Sequence, residues 1–117
     1  MLSFIDERGF LFAWLKEILV PDRIELNWVE SGWNEVILPC HVHFSDGVCA
    51  SFIVFITVTG NSNATVSKLY SFRAVQSEDQ PRITRGTFEM FNFQMEEVAS
   101  KQEFKIWIKD ITNQQHH

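Results

Sequence analysis

Three residues of the 117-residue chain have the types and spacing to do chemistry together: His41, His43 and Cys49. Residues two apart on a strand share a face. His41-Val42-His43 therefore sets two imidazoles side by side if that run is extended. Two imidazoles and a thiolate are zinc ligands, but a site needs a fourth ligand or a water and partners that orient the first set. Glu35 has the right parity, yet six residues from His41 it is about 20 Å along the strand and cannot join. Cys49 with His43 also reads as a nucleophile and base. No third group to orient the imidazole and no oxyanion hole can be named beside it. The sequence therefore assigns no catalytic residue, no cofactor and no metal, with His41, His43 and Cys49 as the only candidates for either chemistry. The ordinary fate of such residues is a pair of hydrogen-bonded strand histidines on a half-exposed face. The chain has no phosphate-cradling Gly-rich loop, CxxC, HExxH or GxSxG. The acidic neighbours Glu78, Asp79 and Glu96, Glu97 diverge in direction and read as solvated.

The elements that must position the candidate cluster lie between Trp33 and Val58. Two runs rich in Val, Ile and Phe flank Ser45-Asp46-Gly47, as strands flank a turn. A three-residue loop with Gly in the left-handed region pairs Phe44 with Val48, Val42 with Ala50, Cys40 with Phe52, Leu38 with Val54 and Val36 with Ile56. Every one of these is apolar. The opposite face then carries Ile37, Pro39, His41, His43, Cys49, Ser51, Ile53, Phe55 and Thr57, with Ser51 opposite His41 and Cys49 opposite His43. A two-residue turn would put the histidines among the most apolar residues, so the three-residue loop is preferred. Upstream, Ile24 to Val29 alternates and is read as a strand joined through Glu30-Ser31-Gly32. That loop pairs Leu26 with Val36 and Ile24 with Leu38, and it leaves Pro39 opposite Arg23.

The remaining elements are read in chain order. Ser3 caps a helix over Phe4 to Leu19, which stops before Pro21. Its stripe of Phe4, Leu11, Trp14, Leu15 and Ile18 is widened by Ile5, Phe10, Phe12 and Leu19. Thr65 to Val75 reads as a fourth strand whose apolar face is broken by Lys68. Gln76 to Arg82 is a polar loop, and Ile83 to Phe93 a fifth strand with a bulge near Phe91. Met95 to Lys101 is at most one helical turn. Phe104 to Ile111 reads as the last strand, with Phe104, Ile106 and Ile108 facing in and Trp107 facing out. The fold class is α+β, one domain over residues 1–117: an N-terminal helix on a curved antiparallel sheet of about six meandering strands. The alternative is a small barrel or sandwich plugged by the helix.

Composition narrows the function. The chain is 45% apolar, and 11 Phe and 4 Trp supply large side chains. A net charge of −5 argues against a nucleic-acid backbone as partner. Charged residues interrupt the apolar N-terminal stretch, so it does not read as a signal peptide. No run is long enough for a membrane span. Cys40 and Cys49 fall on opposite faces, which implies free thiols and a reducing, cytoplasmic setting.

The aromatic surplus points to an interaction module: an adaptor, dedicated chaperone or inhibitor-like protein. Its second sheet face would form a homodimer or bind a protein partner, with Trp33, Ile53, Phe55 and Trp107 as interface anchors. The first alternative is a small apolar ligand or lipid held between helix and sheet by Phe12, Trp14, Phe91 and Phe93. The second is a metal-dependent or thiol enzyme at His41, His43 and Cys49.

Overall fold

A computed structural model describes residues 4–27, 30–32, 34–60, 66–75, 87–91 and 96–115. The order is α1 (Phe4–Leu19), β1 (Arg23–Leu26), β2 (Glu30–Ser31), β3 (Glu35–His43), β4 (Cys49–Gly60), β5 (Val66–Ala74), β6 (Thr87–Phe91) and α2 (Val98–Gln115). All strand pairs are antiparallel, and the sheet runs β1-β3-β4-β5-β6. The short β2 pairs with β3 beyond β1, so β1 and β2 share one edge. The sheet is open, not the barrel or sandwich of the alternative reading. Ser3, Trp28, Val29, Trp33, residues 76–86 and Phe93 lie outside the described residues.

The β3–β4 hairpin has the expected register throughout, including His41 opposite Ser51 and His43 opposite Cys49. Its turn explains why. Gly47 has φ of +86°, and its N–H donates to the Phe44 carbonyl at 3.0 Å. The Phe44 N–H bonds the Val48 carbonyl at 2.9 Å, and the Asp46 carboxylate accepts the Val48 N–H at 3.0 Å. Asp supplies the side-chain acceptor and Gly the left-handed residue that this loop requires.

The edge strand departs from expectation. Ile24 lies opposite Val42 and Leu26 opposite Cys40, four residues from the expected pairing. The chain does not turn at Glu30-Ser31-Gly32. Glu30 and Ser31 still pair with Ile37 and Val36, and the Gly32 N–H bonds the Glu35 carbonyl at 2.8 Å. Between Leu26↔Cys40 and Glu30↔Ile37 the edge has one residue more than β3. Pro39 sits opposite that interruption, where the Asn27 N–H bonds its carbonyl at 3.0 Å. Its missing N–H faces the edge of the sheet, beyond the last residue of β1, where a proline is tolerated.

The second correction is larger. Phe104 to Ile111 is not a strand; it belongs to α2. Phe104, Trp107, Ile108 and Ile111 are buried, whereas Ile106 is 60% exposed. That is the i, i+3, i+4, i+7 stripe of a helix, and a short apolar run fits either period. The single turn read over Met95 to Lys101 is where α2 begins.

Both helices contribute to one buried cluster on the inner face of the sheet. Leu11, Trp14, Leu15 and Ile18 of α1 and the α2 stripe meet Val36, Leu38, Cys40, Val42, Ala50, Phe52, Val54, Ile56, Tyr70, Phe72, Ala74 and Met90. The wide apolar arc of α1 is only partly covered, since Phe10 and Phe12 are 42% and 41% exposed.

Lys68, the break in the apolar face of β5, has a buried partner. The Glu7 carboxylate on α1 takes the Lys68 ammonium on one oxygen and the Tyr70 hydroxyl, at 2.8 Å, on the other. Glu7, the fourth residue of α1, thus explains an irregularity sixty-one residues away.

α1 ends on a strained residue. Val20 has φ of +46°, and its N–H bonds the Lys16 carbonyl at 3.1 Å, closing the left-handed cap before Pro21. A β-branched side chain in that region costs about 1–2 kcal/mol. Val20 is 80% exposed and contributes little packing. Val20→Gly should therefore stabilise the fold by roughly 0.5–1 kcal/mol after its extra unfolded-state entropy is subtracted. Chemical denaturation checks this, and a net loss of stability would remove the strain argument.

Candidate functional site

The candidate cluster sits on the outer sheet face, near the β3–β4 turn. Two rungs cross three strands there: Arg23, His43 and Cys49 in one, and Glu25, His41 and Ser51 in the other. The two histidines share a face, as their spacing requires, but they turn apart. His41 Nδ1 lies 2.8 Å from Ser51 Oγ on β4. His43 Nε2 reaches the other way, to Glu25 at 3.3 Å and Arg23 at 3.2 Å on β1. When Nε2 carries a proton it donates to Glu25; when it does not, it accepts from Arg23. The Cys49 thiol leans on Ser51 at 3.9 Å.

The two imidazoles therefore point to different partners rather than to a common site. Among the described residues, no three of His, Cys, Asp and Glu converge so as to hold a metal ion. The electrostatics are those of a surface strip. The His43 hydrogen bond, aided by the Arg23 charge, holds the exposed Glu25 carboxyl below its usual range. Cys40 behaves differently from Cys49. It is fully buried on the inner face, and burial pushes its thiol far above the usual range, which keeps it protonated and inert. Both cysteines are free thiols.

Sequence reasoning missed Arg23 and Glu25 because the expected β1 register put Arg23 opposite Pro39. The signal was present: Arg23 and Glu25 flank Ile24 with the same parity as His41 and His43, so both charges fall on the histidine face.

The outer face beyond this strip is apolar at its centre. One rung runs Ile37, Phe55, Ser71, Glu89, and the next Pro39, Ile53, Arg73, Thr87. Ile37, Ile53 and Phe55 are partly exposed. The Arg73 guanidinium lies over the Phe55 ring, 4.4 Å from its centroid, a cation–π contact. Ser71, opposite Phe55 on β5, is buried, and its hydroxyl has no hydrogen-bond partner among the described residues.

Of the four expected anchors, Ile53 and Phe55 share this face and Trp33 lies outside the described residues. Trp107 is elsewhere. Because its segment is a helix, Trp107 is buried in the core against Phe52, Phe72, Phe88 and Phe104. The residues proposed to line a ligand cavity are not brought together either. Trp14 stacks in the core on Phe104 at 4.8 Å, Phe91 is 51% exposed on the outer face, and Phe93 lies outside the described residues. Phe12 instead lines an open groove of about 490 Å³ between α1 and β1, with Arg8, Gly9, Ile24, Glu25, Leu26 and Asn27. No described helix is long and apolar enough to cross a membrane. No family model, curated protein or solved structure matches the chain.

Proposed function

We propose that the chain is a non-enzymatic protein-interaction module that takes a polypeptide partner on the outer face of its sheet. The observation that carries this reading is one-sidedness. The described helices both contribute to the inner-face cluster, while Ile37, Ile53 and Phe55 form a partly exposed apolar centre opposite. Phe55 is held in place by Arg73 before any partner arrives, which reduces the ordering cost of binding. The anchors in this reading are Ile53 and Phe55, with Trp33 retained from the sequence and Trp107 removed by its burial in the core. The free thiols fit a cytoplasmic role.

A photo-crosslinking residue at position 55 tests this in cells that make the protein natively. Position 55 should give a discrete protein adduct, and the exposed α2 position 103 should not. Phe55→Ala should then weaken the complex by about 2 kcal/mol or more, as interface anchors do. Equal labelling from both positions, or none from 55, would remove the outer face from the reading.

A further inference from the structure

We propose that β1 is a self-pairing edge, joining two copies of the chain antiparallel at Ile24 into one continuous sheet. This edge is distinct from the apolar centre of the outer face at Ile37, Ile53 and Phe55, and does not depend on its role. The phase of the ladder identifies which groups are available. Asn27 and Pro39 form a hydrogen-bonding position of the β1–β3 pair, so Arg23 and Glu25 also direct their backbone groups at β3. Ile24 and Leu26 direct theirs away from the sheet. The Leu26 carbonyl is already taken by the Arg8 guanidinium at 2.6 Å, and the Asp22 N–H by the His43 carbonyl at 2.8 Å. Ile24 is left with both its N–H and its C=O unpaired among the described residues. An edge in that state is a template for another strand.

The side chains select a second copy as that strand. An antiparallel pairing of Ile24 with Ile24 of another copy exchanges both backbone hydrogen bonds. It sets Arg23 of each copy directly opposite Glu25 of the other, both on the outer face. The sequence Arg-Ile-Glu is thus its own electrostatic complement about a two-fold axis. The Arg23 and Glu25 side chains are 64% and 45% exposed and only 3.7 Å apart within the chain, so they can exchange partners. The open groove beside Ile24 lets the second strand reach the backbone, and the exposed Phe12 on its wall is covered when it does. The paired segment is short, so the dimer is a concentration-dependent one.

Sedimentation velocity on the full chain across a dilution series should show a reversible monomer–dimer equilibrium. Arg23→Glu and Glu25→Arg should each weaken the dimer about tenfold, by placing like charges opposite each other twice. An equimolar mixture of these two variants should restore it as a heterodimer, because each strand then meets its complement. Hydrogen exchange at the Ile24 amide should slow as concentration rises. A chain that stays monomeric throughout, or a dimer that survives both single reversals, would overturn the proposal.

Discussion

Replacing Phe104 with alanine should cost about 3–5 kcal/mol, the range for truncating a buried aromatic. That is a large share of the roughly 5–15 kcal/mol that holds an ordinary domain folded. Phe104 is fully buried and central to the aromatic packing. Its ring centroid lies 4.8 Å from Trp14 on α1, 5.0 Å from Phe72 on β5, 5.3 Å from Phe88 on β6 and 5.8 Å from Trp107 one helical turn on. One side chain therefore ties both helices to two strands, and its removal leaves a void bounded by rings that cannot easily collapse. The informative control is Ile106→Ala. In a strand, Ile106 would share the face of Phe104 and its truncation would cost about as much as a core deletion. In α2 it is 60% exposed, and its loss should change stability by no more than about 0.5 kcal/mol. Urea denaturation of the two variants measures both. Equal, large losses would return the segment to a strand and undo the account of the core.

That segment shows where sequence reasoning stopped. Phe104, Ile106 and Ile108 alternate, while Phe104, Trp107, Ile108 and Ile111 keep helical spacing. Trp107 and Ile111 favour the helix, because a strand would expose both, whereas Ile106 favours the strand, because a helix exposes it. Reading the segment as a strand put Trp107 on the outer face and made it an anchor. The edge strand failed for a different reason. A register shift of one residue moves every side chain to the other face, so hydrophobic pattern excludes it. A shift of four leaves each residue on its own face, and pattern cannot detect it. The inner residues Ile24 and Leu26 were therefore assigned correctly while their partners were not, and the contacts of His43 with Arg23 and Glu25 went unseen. The β3–β4 register was legible because the Asp46-Gly47 turn chemistry fixes it locally. So was α1, whose buried stripe and following Pro21 mark its extent. The shared face of His41 and His43 was also legible, but not the direction in which each ring turns, since that depends on neighbours from two other strands.

The charge inside the core gives the second large effect. Lys68→Met should destabilise the fold by about 3 kcal/mol, the lower end for breaking a buried pair, since the lysine is itself partly exposed. The loss comes less from the missing attraction than from the Glu7 carboxylate, 6% exposed, left with Tyr70 alone. Glu7→Gln should cost less, about 1–2 kcal/mol, because an amide oxygen still accepts the Tyr70 hydroxyl and Lys68 can extend towards water. The triple replacement Glu7→Met, Lys68→Met, Tyr70→Phe should recover most of the loss, since none of these three positions then holds a buried polar group without a partner. The same network sets the alkaline limit of the fold. Burial, then the bond to Glu7 and its charge, raise the Tyr70 hydroxyl well above its usual range. A group raised in the folded state contributes stability that is intact below its unfolded value, about 10 for tyrosine. That contribution is lost as pH rises beyond it, because the unfolded chain ionises first. Wild-type stability should therefore fall more steeply than that of Tyr70→Phe between about pH 10 and 12. Parallel slopes in urea titrations at those pH values would mean the hydroxyl is not held protonated. Lys68 looks like a flaw in the apolar face of β5; these variants test whether it is instead the counter-charge that lets α1 place a carboxylate against the sheet.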